Sequence, residues 1–266
     1  MDRPTVSHTD WLDGVRGLGL ASVDMLYADP PFNTGVKKKT PVHAQRAGRG
    51  VHAAYADSWS TTGAYISWLR ERLVATLPLL KTTGNVLIHC DWRASHHIRL
   101  MLDDVLGPDQ FVNHLVWHYG LGGSSPRGFA RKHDDILFYR VRGSSWFEAP
   151  RVPATSRRMA GQTKKATDVL EIPSLNNMSK ERTGYPTQKP LALLDVLVRA
   201  CCPPGGVVLD PCCGSGTTLV AATTAGRRAI GFDQSDAAIV IARARIERAW
   251  LDRSCRGRPS PVATHG

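Results

Sequence analysis

Along this chain, short apolar runs stop repeatedly at an acid or a turn. Val23-Asp24-Met25-Leu26-Tyr27-Ala28 runs into Asp29-Pro30-Pro31, and Asn85-Val86-Leu87-Ile88-His89 into Cys90-Asp91. Val207-Val208-Leu209 runs into Asp210-Pro211, and Ala229-Ile230-Gly231-Phe232 into Asp233. Such near-continuous apolar runs predict strands buried on both faces, as in a parallel sheet. Between them, helical patterns predict helices over residues 64–80, 94–106, 191–201, 217–225 and 236–250. Strands alternating with helices predict a doubly wound α/β fold with a mostly parallel sheet.

Three stretches break the pattern. Residues 35–57, rich in Lys, Arg, Gly and His and including Lys37, Lys38 and Lys39, read as a mobile basic loop. Residues 119–183 mix strand-like pieces with Gly, Ser and Pro and carry Arg127, Arg131 and Lys132. They read as an insertion that divides the domain into halves of about residues 1–118 and 184–250. The tail, residues 253–266, is expected to be disordered.

With 266 residues there is room for one α/β domain and a modest insertion. No stretch approaches 18 consecutive apolar residues and Met1-Asp2-Arg3-Pro4 lacks an apolar signal core, so a cytoplasmic protein with no membrane partner is expected. The formal charge of +11 suits a polyanionic partner, although charge of this size is also common in proteins that bind none. None of the six cysteines shows the two-residue gap of a zinc pair, so reduced thiols and no metal are expected.

Two turns carry candidate chemistry. Asp29-Pro30-Pro31-Phe32 follows a buried strand, where open α/β sheets place ligands. The prolines fix the backbone and remove two donors, leaving a carboxylate and carbonyls as a pure acceptor set. That set suits an –NH₂ group: drawing on both protons pulls the nitrogen towards tetrahedral geometry and frees its lone pair. Phe32 adds a flat face for a base. Alone, the tetrapeptide fits a structural Pro-Pro turn equally well. The second turn, Asp210-Pro211-Cys212-Cys213-Gly214-Ser215-Gly216-Thr217-Thr218, lacks both the third glycine of a dinucleotide fingerprint and the Gly-Lys-Thr of a phosphate loop. With Asp233 ending the next strand as an acceptor for ribose hydroxyls, it suits a cofactor with a ribose and no phosphate, such as S-adenosylmethionine.

Here the sequence resembles a family. Asp29-Pro30-Pro31-Phe32-Asn33-Thr34-Gly35 resembles the catalytic motif of amino-group DNA methyltransferases, and residues 209–218 resemble their cofactor motif. Tyr185-Pro186-Thr187-Gln188-Lys189-Pro190 is similar to the element preceding the cofactor motif when the catalytic motif comes first, the family's β arrangement. Residues 89–93 and 133–139 add further similarity. The resemblance implies a Rossmann-like methyltransferase fold, permuted so that the catalytic half comes first, with residues 119–183 as target-recognition region. It implies that Asp29 and the Pro30 carbonyl hold the target amine, with Phe32 stacking on a base flipped out of the duplex. Asp210, Gly214 and Gly216 would line S-adenosylmethionine, Asp233 would hold its ribose, and Thr187 and Lys189 would lie near its methionine moiety, where Lys189 could pair with the carboxylate. Asp10 has the spacing of an acid that contacts the adenine, though an Asp before a helix is also a cap.

The activity so implied is site-specific methylation of adenine N6 in double-stranded DNA, with Lys37, Lys38, Lys39, Arg127, Arg131 and Lys132 as DNA contacts. The alternatives are cytosine N4 as target, and a nucleic-acid-binding module that keeps the fold without catalysis. Relatives of the β arrangement often form homodimers, which makes a dimer a further expectation.

Overall fold

The computed structural model describes residues 3–35, 57–120, 124, 126–154, 156–159 and 161–256. The amino-terminal part supplies β1 (Thr5–His8), α1 (Trp11–Arg16), β2 (Val23–Ala28), α2 (Thr62–Thr76), β3 (Leu80–Cys90) and α3 (Ser95–Leu106). The middle supplies β4 (Phe111–His118), β5 (His133–Arg140), β6 (Arg151–Pro153), β7 (Thr163–Lys165) and β8 (Val169–Glu171). The carboxy-terminal part supplies α4 (Leu191–Cys201), β9 (Val207–Asp210), α5 (Thr217–Thr224), β10 (Arg228–Asp233) and α6 (Asp236–Arg256).

Eight strands form one sheet in the order β1-β10-β9-β2-β3-β5-β4-β8, and β6 and β7 form a small separate hairpin. β1, β10, β9, β2 and β3 are parallel, whereas β5 runs antiparallel to both β3 and β4. The expected doubly wound, mostly parallel sheet is present. Period-two alternation along β2 shows how both faces are filled. Met25 and Tyr27 pack with Leu193, Leu197, Leu219 and Ile246 from α4, α5 and α6. Leu26 and Ala28 pack with Trp11, Leu69, Leu73 and Ile98 from α1, α2 and α3.

One buried acid ties the two ends of the chain together. Asp24 Oδ2 accepts from the Val207 amide at 2.8 Å, while both Asp24 oxygens lie 2.9 Å from Lys81 Nζ. The starts of β2, β3 and β9 are thereby fastened at one point.

The fold departs from the sequence expectations at three places. The helix expected over residues 64–80 ends at Thr76, because Pro78 lies in a 3₁₀ turn and Leu80 begins β3 opposite Val23. Residues 119–183 are not one insertion: His133–Arg140 is an interior strand and Val169–Glu171 pairs with β4. Regular structure also runs past residue 253, since α6 continues to Arg256 and Arg253 Nη1 donates to the Thr223 carbonyl at 2.7 Å. Among the described residues no helix is long and apolar enough to cross a membrane.

Candidate active site

Parallel strands bring the carboxyl ends of β2, β3, β9 and β10 to one edge, the usual ligand position in open α/β sheets. Asp29 follows β2, Asp91 follows β3, Asp210 ends β9 and Asp233 ends β10. Between these ends lies a cavity of about 420 Å³ whose wall includes Asp10, Asp29, Thr187, Lys189, Asp210, Gly214 and Asp233. The catalytic and cofactor turns, far apart in sequence, share one cavity.

The glycine turn is built around Asp233. Its Oδ2 accepts from the Gly214 amide at 2.9 Å and its Oδ1 from the Ser235 amide at 2.8 Å. Each oxygen keeps lone pairs for a further donor. Gly214 is left-handed (φ +50°), and a Cβ there would stand 3.0 Å from the Tyr185 ring. Arg245 braces the other side, its Nη1 donating to the Ser215 carbonyl at 2.8 Å and to Thr217 Oγ1 at 2.9 Å. Gly216, expected to line the cofactor, lies at the start of α5 and is not among the residues of the cavity wall. A Cβ there would meet Ala242 Cβ at 2.9 Å, so the missing side chain lets α6 approach α5.

At the catalytic turn, Lys189 Nζ lies 2.6 Å from Asp29 Oδ2, both groups mostly buried. The same ammonium stands 5.2 Å from the centre of the Phe32 ring. The ammonium expected to pair with a cofactor carboxylate is thus held by Asp29. Phe32 does not line the cavity; it stacks on His89, with ring centres 5.8 Å apart. His89 is fully buried, its Nδ1 2.8 Å from Tyr27 Oη and its Nε2 3.2 Å from Asp134 Oδ2. Since the carboxylate only accepts, Nε2 carries a proton and donates to Asp134. This fixed network supports Phe32 from below.

Asp10 is a helix cap, one of the two roles considered for it, and it stands on the cavity wall where the other would need it. Its Oδ1 caps α1 by accepting from the Leu12 amide at 2.8 Å, and it also lies on the cavity wall. Oδ2 lies 3.2 Å from Arg72 Nη2 and accepts from Gln234 Nε2. Arg72 is itself buried, with its guanidinium 4.3 Å from the Trp68 ring centre and Nε without a partner among the described residues. Trp11, Trp59, Trp68 and Tyr185 complete an aromatic wall. Neither Arg72 nor this wall was expected from the sequence. Trp68 and Arg72 share a face of α2 at i,i+4 spacing, the one local signal available.

Burial is the largest influence on the acids here. It pushes Asp210 up to about 7, assisted by Asp29 and Asp233 and opposed by hydrogen bonds from Thr218 and the Cys212 amide. Burial also raises Asp233, against bonds from Ser235 and Gly214. At Asp10 burial works upward, but the Leu12 amide and Arg72 hold the carboxyl below its ordinary value. Burial raises the Cys212 and Cys213 thiols well above the usual range, so neither is a thiolate nucleophile at neutral pH.

Of the expected DNA contacts, Lys37, Lys38 and Lys39 lie outside the described residues. The described residues on either side pair with each other: the Gly35 amide donates to the Asp57 carbonyl at 2.9 Å and the Trp59 amide to Asn33 Oδ1 at 2.8 Å. Arg127, Arg131 and Lys132 lie in the β4–β5 connection. Cys90 pairs with Asp135 and His118 with His133, which sets that connection at the same sheet edge as Asp29. Arg131 is exposed and lies 3.9 Å from the centre of the Trp92 ring, which Arg93 also approaches at 4.8 Å. Arg151, Lys164 and Lys165 belong instead to the separate β6–β7 hairpin. Asp91 closes the start of α3, accepting from the Arg93 amide at 2.9 Å, and does not line the cavity.

A family profile described as DNA methylase matches residues 23–244. The chain belongs to the DNA methylase family. This methylase is 25% identical over 268 residues to the DNA adenine methyltransferase YhdJ of Escherichia coli K12, covering 92% of this chain and 83% of that protein. Its fold matches the crystal structure of an M1.HpyAVI–SAM complex with a TM-score of 0.61 at 21% identity, covering 91% of this chain and 98% of the other. It also matches the cytosine-N4-specific PvuII DNA methyltransferase with a TM-score of 0.69 at 14% identity, covering 97% and 94%.

Proposed function

We propose that this methylase transfers a methyl group from S-adenosylmethionine to adenine N6 of a base flipped out of duplex DNA. The observation that carries the proposal is the single cavity holding Asp29 of the Asp-Pro-Pro-Phe turn together with Asp210, Gly214 and Asp233.

The residues present fit that cofactor. Four carboxyl groups and two cations line the cavity, and even with Asp210 partly protonated a surplus of negative charge remains that suits a sulfonium. The unused lone pairs of Asp233 suit a ribose diol, and Gly214 lets the backbone come close. Trp11, Trp59 and Trp68 offer flat apolar surface for a purine. S-adenosylmethionine supplies an already activated methyl, so alignment is what remains for the protein.

On the substrate side, Asp29 and the Pro30 carbonyl accept the two amine protons, turning the nitrogen lone pair towards the methyl. Phe32, held by His89, stacks on the base. Flipping costs a few kcal/mol of lost stacking and pairing, and neutralisation of phosphates by Lys and Arg at the sheet edge offsets it.

Adenine is favoured over cytosine N4 because the turn begins with Asp, as in adenine enzymes, where cytosine-N4 enzymes more often carry Ser. The similarity to YhdJ supports the same reading, and the likeness to the PvuII enzyme keeps cytosine as the second reading. Methylation-aware sequencing of DNA from cells expressing the protein tests both. N6-methyladenine in a defined sequence supports the first, N4-methylcytosine replaces it with the second, and no new mark from a folded, cofactor-binding protein overturns both.

A further inference from the structure

The contact between Lys189 and Asp29 gives the lysine a role in the transfer step itself. We infer that Lys189 is a positioning residue for the catalytic carboxylate, orienting Asp29 so that one oxygen stays free to accept from the target amine. This rests on the proposed function of the same site.

The geometry behind the inference begins with the backbone. Thr187 is left-handed (φ +65°), a conformation that β-branched residues rarely adopt and that persists only where the surroundings enforce it. Here the enforcement is visible. Gln188 Oε1 accepts from the Thr183 amide at 2.9 Å and from Thr183 Oγ1 at 2.7 Å, while its Nε2 donates to the Glu181 carbonyl at 2.9 Å. The amide of Leu191, which begins α4, donates to Glu181 Oε1 at 2.8 Å. Lys189 therefore leaves the chain between a clamped glutamine and the start of a helix, and its long side chain crosses to Asp29.

The charges facing Asp29 explain why a cation is needed there. Asp210 stands close enough to repel it, and Tyr27, Cys90 and Cys212 are neutral groups whose ionisation its charge opposes. Lys189 is the cation paired with it. A carboxyl that took up a proton would turn one of its two oxygens from acceptor to donor and lose its hold on an –NH₂ group. With the ammonium on Oδ2, Oδ1 stays free to accept. The ammonium also lies near the Phe32 ring, so one side chain touches both the carboxylate and the base platform.

The test compares Lys189→Met and Lys189→Arg with wild type. Lys189→Met should slow single-turnover methyl transfer at saturating cofactor and neutral pH by about 100-fold. Its affinity for S-adenosylmethionine by calorimetry should stay within about threefold. The acid limb of its rate profile should move up by about one pH unit or more, since an opposite charge at this range shifts a carboxyl by that amount. Lys189→Arg should keep the wild-type profile and most of the rate. A readout independent of activity is the ¹³C shift of the Asp29 carboxyl, whose titration should move to higher pH in Lys189→Met, with Asp29→Asn identifying the signal. Thermal melts check that each variant is folded. The inference is overturned if Lys189→Met loses cofactor affinity while transfer at saturation is unchanged, which would give the lysine to the methionine carboxylate. It is equally overturned if the Asp29 titration does not move. A wild-type protein that methylates no DNA would count against the proposed function alone, because the carboxyl titration would still decide the role of Lys189.

Discussion

Asp233 Oδ2 accepts from the Gly214 amide at 2.9 Å, so the acid ending β10 holds the glycine turn after β9 in place. Asp233→Ala removes that brace and the acceptor for a ribose hydroxyl together. Affinity for S-adenosylmethionine should fall by roughly 1–3 kcal/mol, the cost of leaving buried donors unpaired. Unchanged affinity in calorimetry would mean that Asp233 shapes the turn without touching the ligand.

Asp29→Ala should abolish methyl transfer and leave cofactor affinity nearly intact, because in the proposed mode the carboxylate meets the amine and not the nucleoside. Single-turnover assays at saturating cofactor separate the two effects. Turnover close to wild type would exclude Asp29 from the reaction.

The buried carboxyl of Asp210 gives a pH dependence with a definite sign. Its value rises from 3.8 to about 7 on folding, so between these limits the folded protein holds a proton that the unfolded chain has lost. Folding stability therefore falls as pH rises through this window, and the cost is complete above about pH 7. Asp210→Asn never ionises and escapes it. The melting temperature of the variant relative to wild type should rise from pH 5 to about pH 7 and level off above it. A difference constant across that range would show that Asp210 does not titrate there.

Gly216→Ala should destabilise the protein without a specific effect on the cofactor. The added methyl would stand 2.9 Å from Ala242 Cβ, at a left-handed position (φ +76°). Overpacking of this kind costs typically about 1–3 kcal/mol, readable in urea unfolding. Loss of cofactor affinity in a variant of normal stability would return Gly216 to the ligand site.

Replacing Lys37, Lys38 and Lys39 together should weaken binding to all DNA sequences alike. The logarithmic salt slope should flatten by about 0.9 for each phosphate that is no longer neutralised. If the preferred sequence changed while the slope held, this segment would read bases. If neither changed, these lysines would not touch DNA.

What the sequence reveals follows from where each element is buried. β2, β3, β9 and β10 lie in the parallel part of the sheet with both faces covered, and their runs are apolar almost throughout. β4 is mostly half-buried, with Asn113 and His114 breaking its apolar run, and β8 has only three residues, so neither stands out. The chemistry is legible where it follows a strand directly, as at Asp29, Asp210 and Asp233. It is hidden where it depends on pairings between distant segments. Arg72 reaches Asp10 across 62 residues, His89 reaches Asp134 across 45, and Lys189 reaches Asp29 across 160. No spacing rule links such partners.

The anchorage of Asp24 by Val207 spans 183 residues. On the ribosome, then, the catalytic turn is made early and waits for the strand that completes its site. Until β9 emerges, the nascent chain has its lysine cluster and its Asp-Pro-Pro-Phe turn but no Asp210, Gly214 or Asp233. Vectorial synthesis thus makes the ability to mark a genome wait for the later of the two turns.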